Sequence, residues 1–274
     1  MSSKFYKIFK HKKVIIGAIH FPPLLGYRGY PGLKVALNNA LKDLKAFENG
    51  KVDGIIIENN YDIPHRTLVG PETVAAMTFL GAKIRSATNL PLGINVLWND
   101  YKAALSIAKT LDLQFIRIPV FVDKIKTDYD IIEGKPKDVI KFRKLIKAEH
   151  IALFTDVHVK HSKLISKNDI TDSAKLAIKN KSDAVIVTGK WTGDAPDINK
   201  LITVRKAVGD FPILVGSGAN KNNANELLKY ANGVVVSTSL KEGSAKENEV
   251  NRKTWHQRIN KRKVLVLVNK KGAV

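Results

Sequence analysis

The sequence predicts a single-domain α/β protein, a (β/α)8 barrel with eight parallel strands inside and helices outside. Three observations lead there. Eight apolar runs of β-type residues alternate with eight helix-compatible segments, at the roughly 30-residue pitch of a βαβ unit. Helical crossovers between successive strands require those strands to be parallel. The long polar loops mostly follow strands rather than precede them, and in this fold that rim carries the chemistry. An open dinucleotide-binding sheet is disfavoured, because no Gly-x-Gly-x-x-Gly follows the first strand.

The strands are expected at residues 14–21, 54–59, 91–97, 115–121, 151–159, 184–188, 213–215 and 234–236. Each is short, rich in Val, Ile and Phe, and stops at a turn-forming or polar residue. The helices are expected at 35–49, 72–87, 101–110, 137–149, 171–180, 198–208, 223–230 and 251–260. In the seventh, Ala224, Leu227, Leu228 and Ala231 recur at helical spacing behind an Asn222 or Asn223 cap. The first strand runs into FPPLLGYRGYPG, too rich in proline and glycine for a helix and placed where an active-site loop belongs. The second runs into NNYDIPHRTLVGP and the fourth into VDKIKTDYDIIEGKP. Residues 1–13 read as a basic extension, 14–260 as the barrel and 261–274 as a basic and apolar tail. In that tail Lys261-Arg262-Lys263 precedes VLVLV, five β-formers expected to pair with a partner's edge or to tuck against the barrel.

Composition narrows the function classes. The 274 residues contain no cysteine, which excludes disulfides, thiolate catalysis and iron–sulfur clusters. No run approaches the ~18 apolar residues of a spanning helix. The basic N-terminus lacks the apolar core of a secretory signal, so a cytoplasmic protein is expected. Net charge is +21, from 46 Lys+Arg against 25 Asp+Glu. Such a field draws polyanions, and it allows association with a membrane surface or a protein complex. The lysines are scattered, as on a solvated surface, and no RNP, zinc-knuckle or helix-turn-helix pattern appears, so nucleic acid is not the expected partner. Trp191 and the apolar tail allow a homo-oligomer.

The strand ends carry the candidate site. The seventh strand ends in Gly216-Ser217-Gly218 and the eighth in Ser237-Thr238-Ser239. Small residues leave backbone N–H groups free and approachable, and a phosphate cup after strands 7 and 8 recurs in this fold. In the fifth strand Asp156, His158 and Lys160 share one parity, expected to face inward, while Val157 and Val159 suit the helix layer. His20, Glu58, Asn59, Asn95, Asp100, Thr188 and Gly189 lie at other strand ends. Arg117 stands inside the apolar FIRIPVF and needs a carboxylate or anion, with Glu58 and Asp156 as internal candidates. Three chemistries fit. Glu58 or Asp156 serves as general base with His158 as acid or shuttle. Glu58, Asp156 and His158 bind a divalent cation, although no HxH or HExxH spacing supports it and no cofactor is firmly implied. Lys160 forms a Schiff base.

The stretches VIIGAIHFPPLLG (14–26), VDGIIIENNYDIP (52–64), GPETVAAMT (70–78), PLGINVLWND (91–100), FIRIPVF (115–121), TDYDIIEG (127–134), DVHVKHS (156–162), SDAVIVTGKWTG (182–193), ILVGSGANKNN (213–223) and GVVVSTSLKEG (233–243) resemble the BtpA family. That family takes its name from a factor for photosystem I biogenesis. The resemblance implies a ribulose-phosphate-binding type of barrel. It marks His20, Glu58, Asn59, Asn95, Asn99, Asp100, Arg117, Asp156, His158, Lys160, His161, Thr188, Gly189, Gly216, Ser217, Gly218 and Thr238. It implies no single reaction, although some members are labelled nucleosidases. The chain departs from the pattern at Ser237, where glycine is usual, at Asn220 and the lysine-rich helix after it, and in the VLVLV tail. The resulting expectation is an enzyme using acid/base chemistry on a small phosphorylated substrate, sugar-phosphate or nucleotide-like, as isomerase, lyase or N-glycosidase. The alternative is a non-catalytic assembly or stability factor for a membrane protein complex.

Overall fold

The structure is a computed structural model that describes residues 3–242 and 254–271. Its centre is a closed parallel barrel of β1 (Val14–His20), β2 (Gly54–Glu58), β3 (Leu92–Asn95), β4 (Phe115–Ile118), β7 (Ala152–Val157), β9 (Ala184–Val187), β10 (Ile213–Val215) and β11 (Gly233–Val236). These follow one another around the barrel in chain order, and β11 closes on β1 with Val14 opposite Gly233. The eight expected strands are all present. Most are shorter than their apolar runs, because closure ends the ladder before hydrophobicity ends.

Strand parity sorts the side chains into two cores. Val14, Ile16, Ala18, Ile56, Phe115, Ala152, Phe154, Ala184, Ile186, Leu214 and Val235 fill the barrel interior. Ile15, Ile19, Ile55, Ile57, Ile94, Ile116, Leu153, Val185, Val187, Val215 and Val234 face the helices. Both faces are apolar, so the strands read as continuous runs rather than alternating ones. The helix layer comprises α2 (Leu33–Asn49), α3 (Pro71–Ala87), α4 (Tyr101–Thr110), α5 (Pro136–Leu145), α6 (Ile170–Lys179), α7 (Ile198–Val208) and α8 (Ala224–Tyr230). Asp100, Asp169 and Asp197 cap α4, α6 and α7 with side-chain oxygens on first-turn N–H groups.

Both chain ends belong to the barrel. The N-terminal extension forms a short helix, α1 (Lys4–Ile8), whose Phe5, with Phe9 just beyond it, plugs the bottom of the interior. Phe115 stacks on Phe154 with centroids 4.6 Å apart, Phe5 lies 5.9 Å from Phe154, and Phe9 lies 6.0 Å from Phe115. Gly54 is needed beside this plug, because a Cβ there would come within 2.9 Å of Phe9. The C-terminal tail tucks against the barrel, one of its two expected outcomes, and does so as a helix. Residues 264–268 are helical within α9 (Lys261–Lys271), which packs against α2 and α8 and completes the outer ring. Val264 and Leu267, three apart, are fully buried, so a helical stripe wins over the local β preference. The helix expected at 251–260 lies partly outside the described residues. Its described part is a single 3-10 turn at Thr254–His256 and a bridge from Ile259 to Lys241.

At the opposite end of the barrel, the loops after β4 and β7 form a small antiparallel sheet. Its strands are β5 (Lys124–Lys126), β6 (Ile131–Glu133) and β8 (Lys163–Leu164), in the order β6-β5-β8. The β5–β6 hairpin carries Asp128 and Tyr129 at its tip.

Truncating the plug should open a cavity in the barrel floor. Phe5→Ala is expected to lower unfolding stability by about 3–5 kcal/mol, read as a fall in the urea midpoint at constant slope. A loss under about 1 kcal/mol would place α1 outside the core.

Candidate functional site

The next inward position above the apolar core supplies one residue per strand: His20, Glu58, Asn95, Arg117, Asp156, Thr188, Gly216 and Ser237. Parity alone delivers this layer. Arg117 is its centre. Its Nε and Nη2 donate to the two oxygens of Asp156, both at 2.8 Å, and Nη1 reaches Glu58 Oε1 at 3.3 Å. The other oxygen of Glu58 lies 3.4 Å from His20 Nε2. Asn95 donates to Glu58 Oε1 at 3.3 Å, while its own buried Oδ1 has no partner among the described residues.

Burial and charge set the protonation states. Burial alone would raise Glu58, but the hydrogen bond from His20 and the Arg117 charge lower it to about 2. Burial pushes Asp156 up, yet its two short bonds to a permanently charged guanidinium hold the pair ionised. Burial lowers His20 and outweighs the adjacent carboxylate, leaving a neutral imidazole. Burial, then the Arg117 charge, lower Lys160 to about 8.

Two adjoining cavities open above this layer. The first, of about 280 Å³, is bounded by His20, Glu58, Arg117 and Lys160 on one side. Its other side is formed by residues 216–220 and 235–239 and by Lys263 of α9. The backbone N–H groups of Gly218, Ala219, Thr238 and Ser239 make no hydrogen bond among the described residues. The buried Ser237 Oγ has no partner either. The second cavity, of about 410 Å³, lies under Tyr129 and Trp191 and is lined by His65, Asn95, Trp98 and His161. Glu58, Asn60, Arg117, Lys160 and Thr192 border both.

Several expected site residues stand behind this surface and line neither cavity. Asn59 ties Leu97 and Asp62 together, Asn99 pairs with the backbone of Val120, and Asp100 caps α4 while accepting from Val69 N–H. Thr188 Oγ1 accepts from Lys160 N–H at 2.9 Å. Gly189 N–H donates to Ser217 Oγ, which donates to Asp194 O. Gly218 has φ +69°, and a Cβ there would meet the backbone of Ala195 at 2.0 Å. Its close approach is therefore to the 189–195 loop, and this glycine locks two loops together as well as exposing its N–H.

His158 corrects the parity argument. The strand ends at Val157, and His158 turns to φ +50°, donating its N–H to Asp123 rather than facing the cavities. The Glu58–Asp156–His158 set proposed for a cation or an acid/base relay is therefore not assembled. Val159 is rotated to pack with Trp98 and Val120 instead of the helix layer. Among the described residues no group of three His, Asp or Glu side chains is arranged to hold a metal ion. Sequence reasoning missed Asn60, His65, Asp128, Tyr129 and Lys263, because loops and a helix rather than a strand parity carry them.

The sequence profile of the BtpA family matches residues 11–263. The chain belongs to the BtpA family. A protein of Pyrococcus horikoshii without an assigned function is 39% identical over 243 residues, 88% of this chain and 92% of its own. The photosystem I biogenesis protein BtpA of a Synechocystis strain is 33% identical over 239 residues, 86% of this chain and 83% of its own. Among solved structures, (S)-3-O-geranylgeranylglyceryl phosphate synthase from Thermoplasma acidophilum, with its substrate sn-glycerol-1-phosphate, has a TM-score of 0.61 at 16% identity and covers both chains fully. N-(5'-phosphoribosyl)anthranilate isomerase from Pyrococcus furiosus has a TM-score of 0.58 at 13% identity, over 96% of this chain and 100% of its own. These identities show the barrel fold and nothing finer. No helix among the described residues is long and apolar enough to cross a membrane.

The lowered Glu58 has a consequence for acid stability. Its charged form is favoured in the folded state, so that contribution is complete above pH 4.5 and is lost as pH falls through about 2. Its size is on the order of 3 kcal/mol. Chemical denaturation between those limits is expected to show a steep loss in the wild type and a flatter one in Glu58→Gln. Equal slopes would mean that Glu58 titrates normally.

Proposed function

We propose that this protein is an enzyme acting by proton transfer on a small phosphorylated substrate. One observation carries the reading. Free N–H groups of two strand-end turns open onto the same cavity as a buried His20–Glu58 pair. Unpaired N–H groups in such turns favour an anion. The phosphate would sit in this cup, with Lys263 beside it, placing the rest of the molecule over His20, Glu58 and Lys160. Phosphate ligands in the solved neighbours' names accord with this reading without deciding it.

The roles follow from which protons can move. Glu58 orients the His20 ring and stabilises its protonated form, so His20 is the proton carrier. Lys160 gives a cation near a developing oxyanion, or a proton to a leaving group. Arg117 and Asp156 hold Glu58 in place. Such a set suits isomerisation, lyase cleavage or N-glycosidic hydrolysis. A metal and a Schiff base at Lys160 are not needed for any of these steps.

Titration calorimetry at pH 7 is expected to show binding of ribose 5-phosphate but not of ribose. Ser237→Leu, which fills the cup without touching a glycine, should abolish it. Absence of binding by ribose 5-phosphate at millimolar concentration would remove the reading.

The same titration has a pH signature. A phosphate monoester is already dianionic above pH ~7, while Lys160 loses its charge as pH rises through about 8. Affinity for ribose 5-phosphate should fall severalfold between pH 7 and 9 in the wild type and stay flat in Lys160→Met. An unchanged profile in that variant would assign the cation elsewhere.

A further inference from the structure

The second cavity differs in chemistry from the cup it adjoins. Five rings line it: Trp98, His161, Trp191, His65 and Tyr129. His161 packs on Trp191 with centroids 5.3 Å apart, and His65 meets Tyr129 edge-on at 5.8 Å. Burial lowers both His65 and His161 to about 4, so both imidazoles are neutral at pH 7. Asp128 adds a carboxylate to the rim. A second anion is therefore disfavoured here, and a neutral planar group is favoured.

Two further features point to what the group must offer. Asn95 and His65 line this cavity, and their buried Oδ1 and Nδ1 have no hydrogen-bond partner among the described residues. Unmet buried polar atoms are costly, and the amide oxygen can only accept. Trp191 and Tyr129 remain 50% and 44% exposed at the mouth. Large aromatic side chains beside a cavity are stacking platforms awaiting a ring. A volume of about 410 Å³ accommodates one fused ring system.

Between the two cavities lies a polar waist of Glu58, Asn60, Arg117, Lys160 and Thr192, bordering both. The cleft thus runs from an anion cup, over hydrogen-bonding side chains, to an aromatic pocket with a free acceptor. We propose that it binds a nucleoside 5'-monophosphate. The phosphate occupies the cup, the sugar hydroxyls meet the waist, and the base stacks between Trp191 and Tyr129 with a ring or amino N–H on Asn95 Oδ1. This assignment rests on the phosphate reading above and adds the identity of the group at the far end. It also places the reacting bond, since His20, Glu58 and Lys160 then surround the sugar rather than the base.

Calorimetry and tryptophan fluorescence with AMP, GMP, CMP and UMP test it, beside ribose 5-phosphate and the four free nucleosides. At least one nucleotide should bind roughly tenfold or more tightly than ribose 5-phosphate and quench tryptophan emission. Trp191→Ala and Tyr129→Ala alter exposed loop residues and should retain the fold. Each should bring the nucleotide's affinity towards that of ribose 5-phosphate while leaving ribose 5-phosphate within about twofold. If ribose 5-phosphate binds and no nucleotide binds more tightly, the base pocket is refuted and the phosphate reading stands. If nucleosides bind and ribose 5-phosphate does not, the phosphate cup is refuted and the aromatic pocket stands. If nothing in the panel binds, both fall.

Discussion

A guanidinium at the inner wall of a barrel has few stable surroundings. Arg117 lies at the top of a column of Phe, Ile and Val, and it is 5% exposed. Its charge persists at any pH the fold survives, so carboxylates must meet it. Asp156 does so through two bonds from the adjacent β7, and Glu58 through one from β2, with β3 between it and β4. Removing the guanidinium would leave two buried carboxylates facing each other, the situation in which a broken buried pair costs most. The same contact fixes where Glu58 points, and Glu58 in turn meets His20 on β1. One buried charge therefore ties four barrel strands across the mouth and defines the floor of the cleft.

That floor also decides where an anionic ligand can lie. With Arg117 engaged by two carboxylates and Lys160 nearby, the centre of the mouth is close to charge-balanced below pH 8. A phosphate brought there would meet Glu58 and Asp156 as well as the cations. The N–H groups of residues 216–220 and 235–239 and Lys263 form another side of the first cavity, and those two turns carry no carboxylate. Under the proposed function, the Arg117 network would keep the anion apart from the proton-transfer groups.

The strands and their inward layer were legible because parity is a rigid rule. His20, Glu58, Asn95, Arg117, Asp156, Thr188, Gly216 and Ser237 all sit where alternation places them. His158 was misread because alternation holds only while the ladder lasts, and β7 stops at Val157. Beyond it two positive-φ residues, His158 and His161, turn the chain so that Lys160 overhangs the mouth. No pattern of residue types signals such a turn. The VLVLV segment tucks against the barrel, one of its two expected places, but its helical form was not legible. Its residues are β-formers, but Val264 and Leu267 find their burial in the gap between α2 and α8. Only the closed ring creates that gap. The aromatic pocket was equally hidden, since Trp98, Tyr129, His161 and Trp191 come from separate loops that share no periodicity.

Chemistry at neutral pH depends on groups whose two protonation states lie close in energy. Arg117 never yields its proton, and Glu58, held near 2, rarely accepts one. Asp156 is bound along both oxygens, so protonation would break a bidentate pair. His65 and His161, near 4, stay neutral. Burial also lowers His20, although a carboxylate 3.4 Å from its Nε2 opposes that shift. A ligand that closes the cavity and brings a basic or acidic atom to the ring shifts that balance further. Lys160, near 8, is the complementary group, and it enters from a strand-end turn rather than from the floor. The carboxylates that sequence alone suggests as bases are thus the fixed charges of the site. In the proposed reaction the mobile protons would belong to the imidazole and the amine they surround, and the substrate would bring its reacting bond between these two.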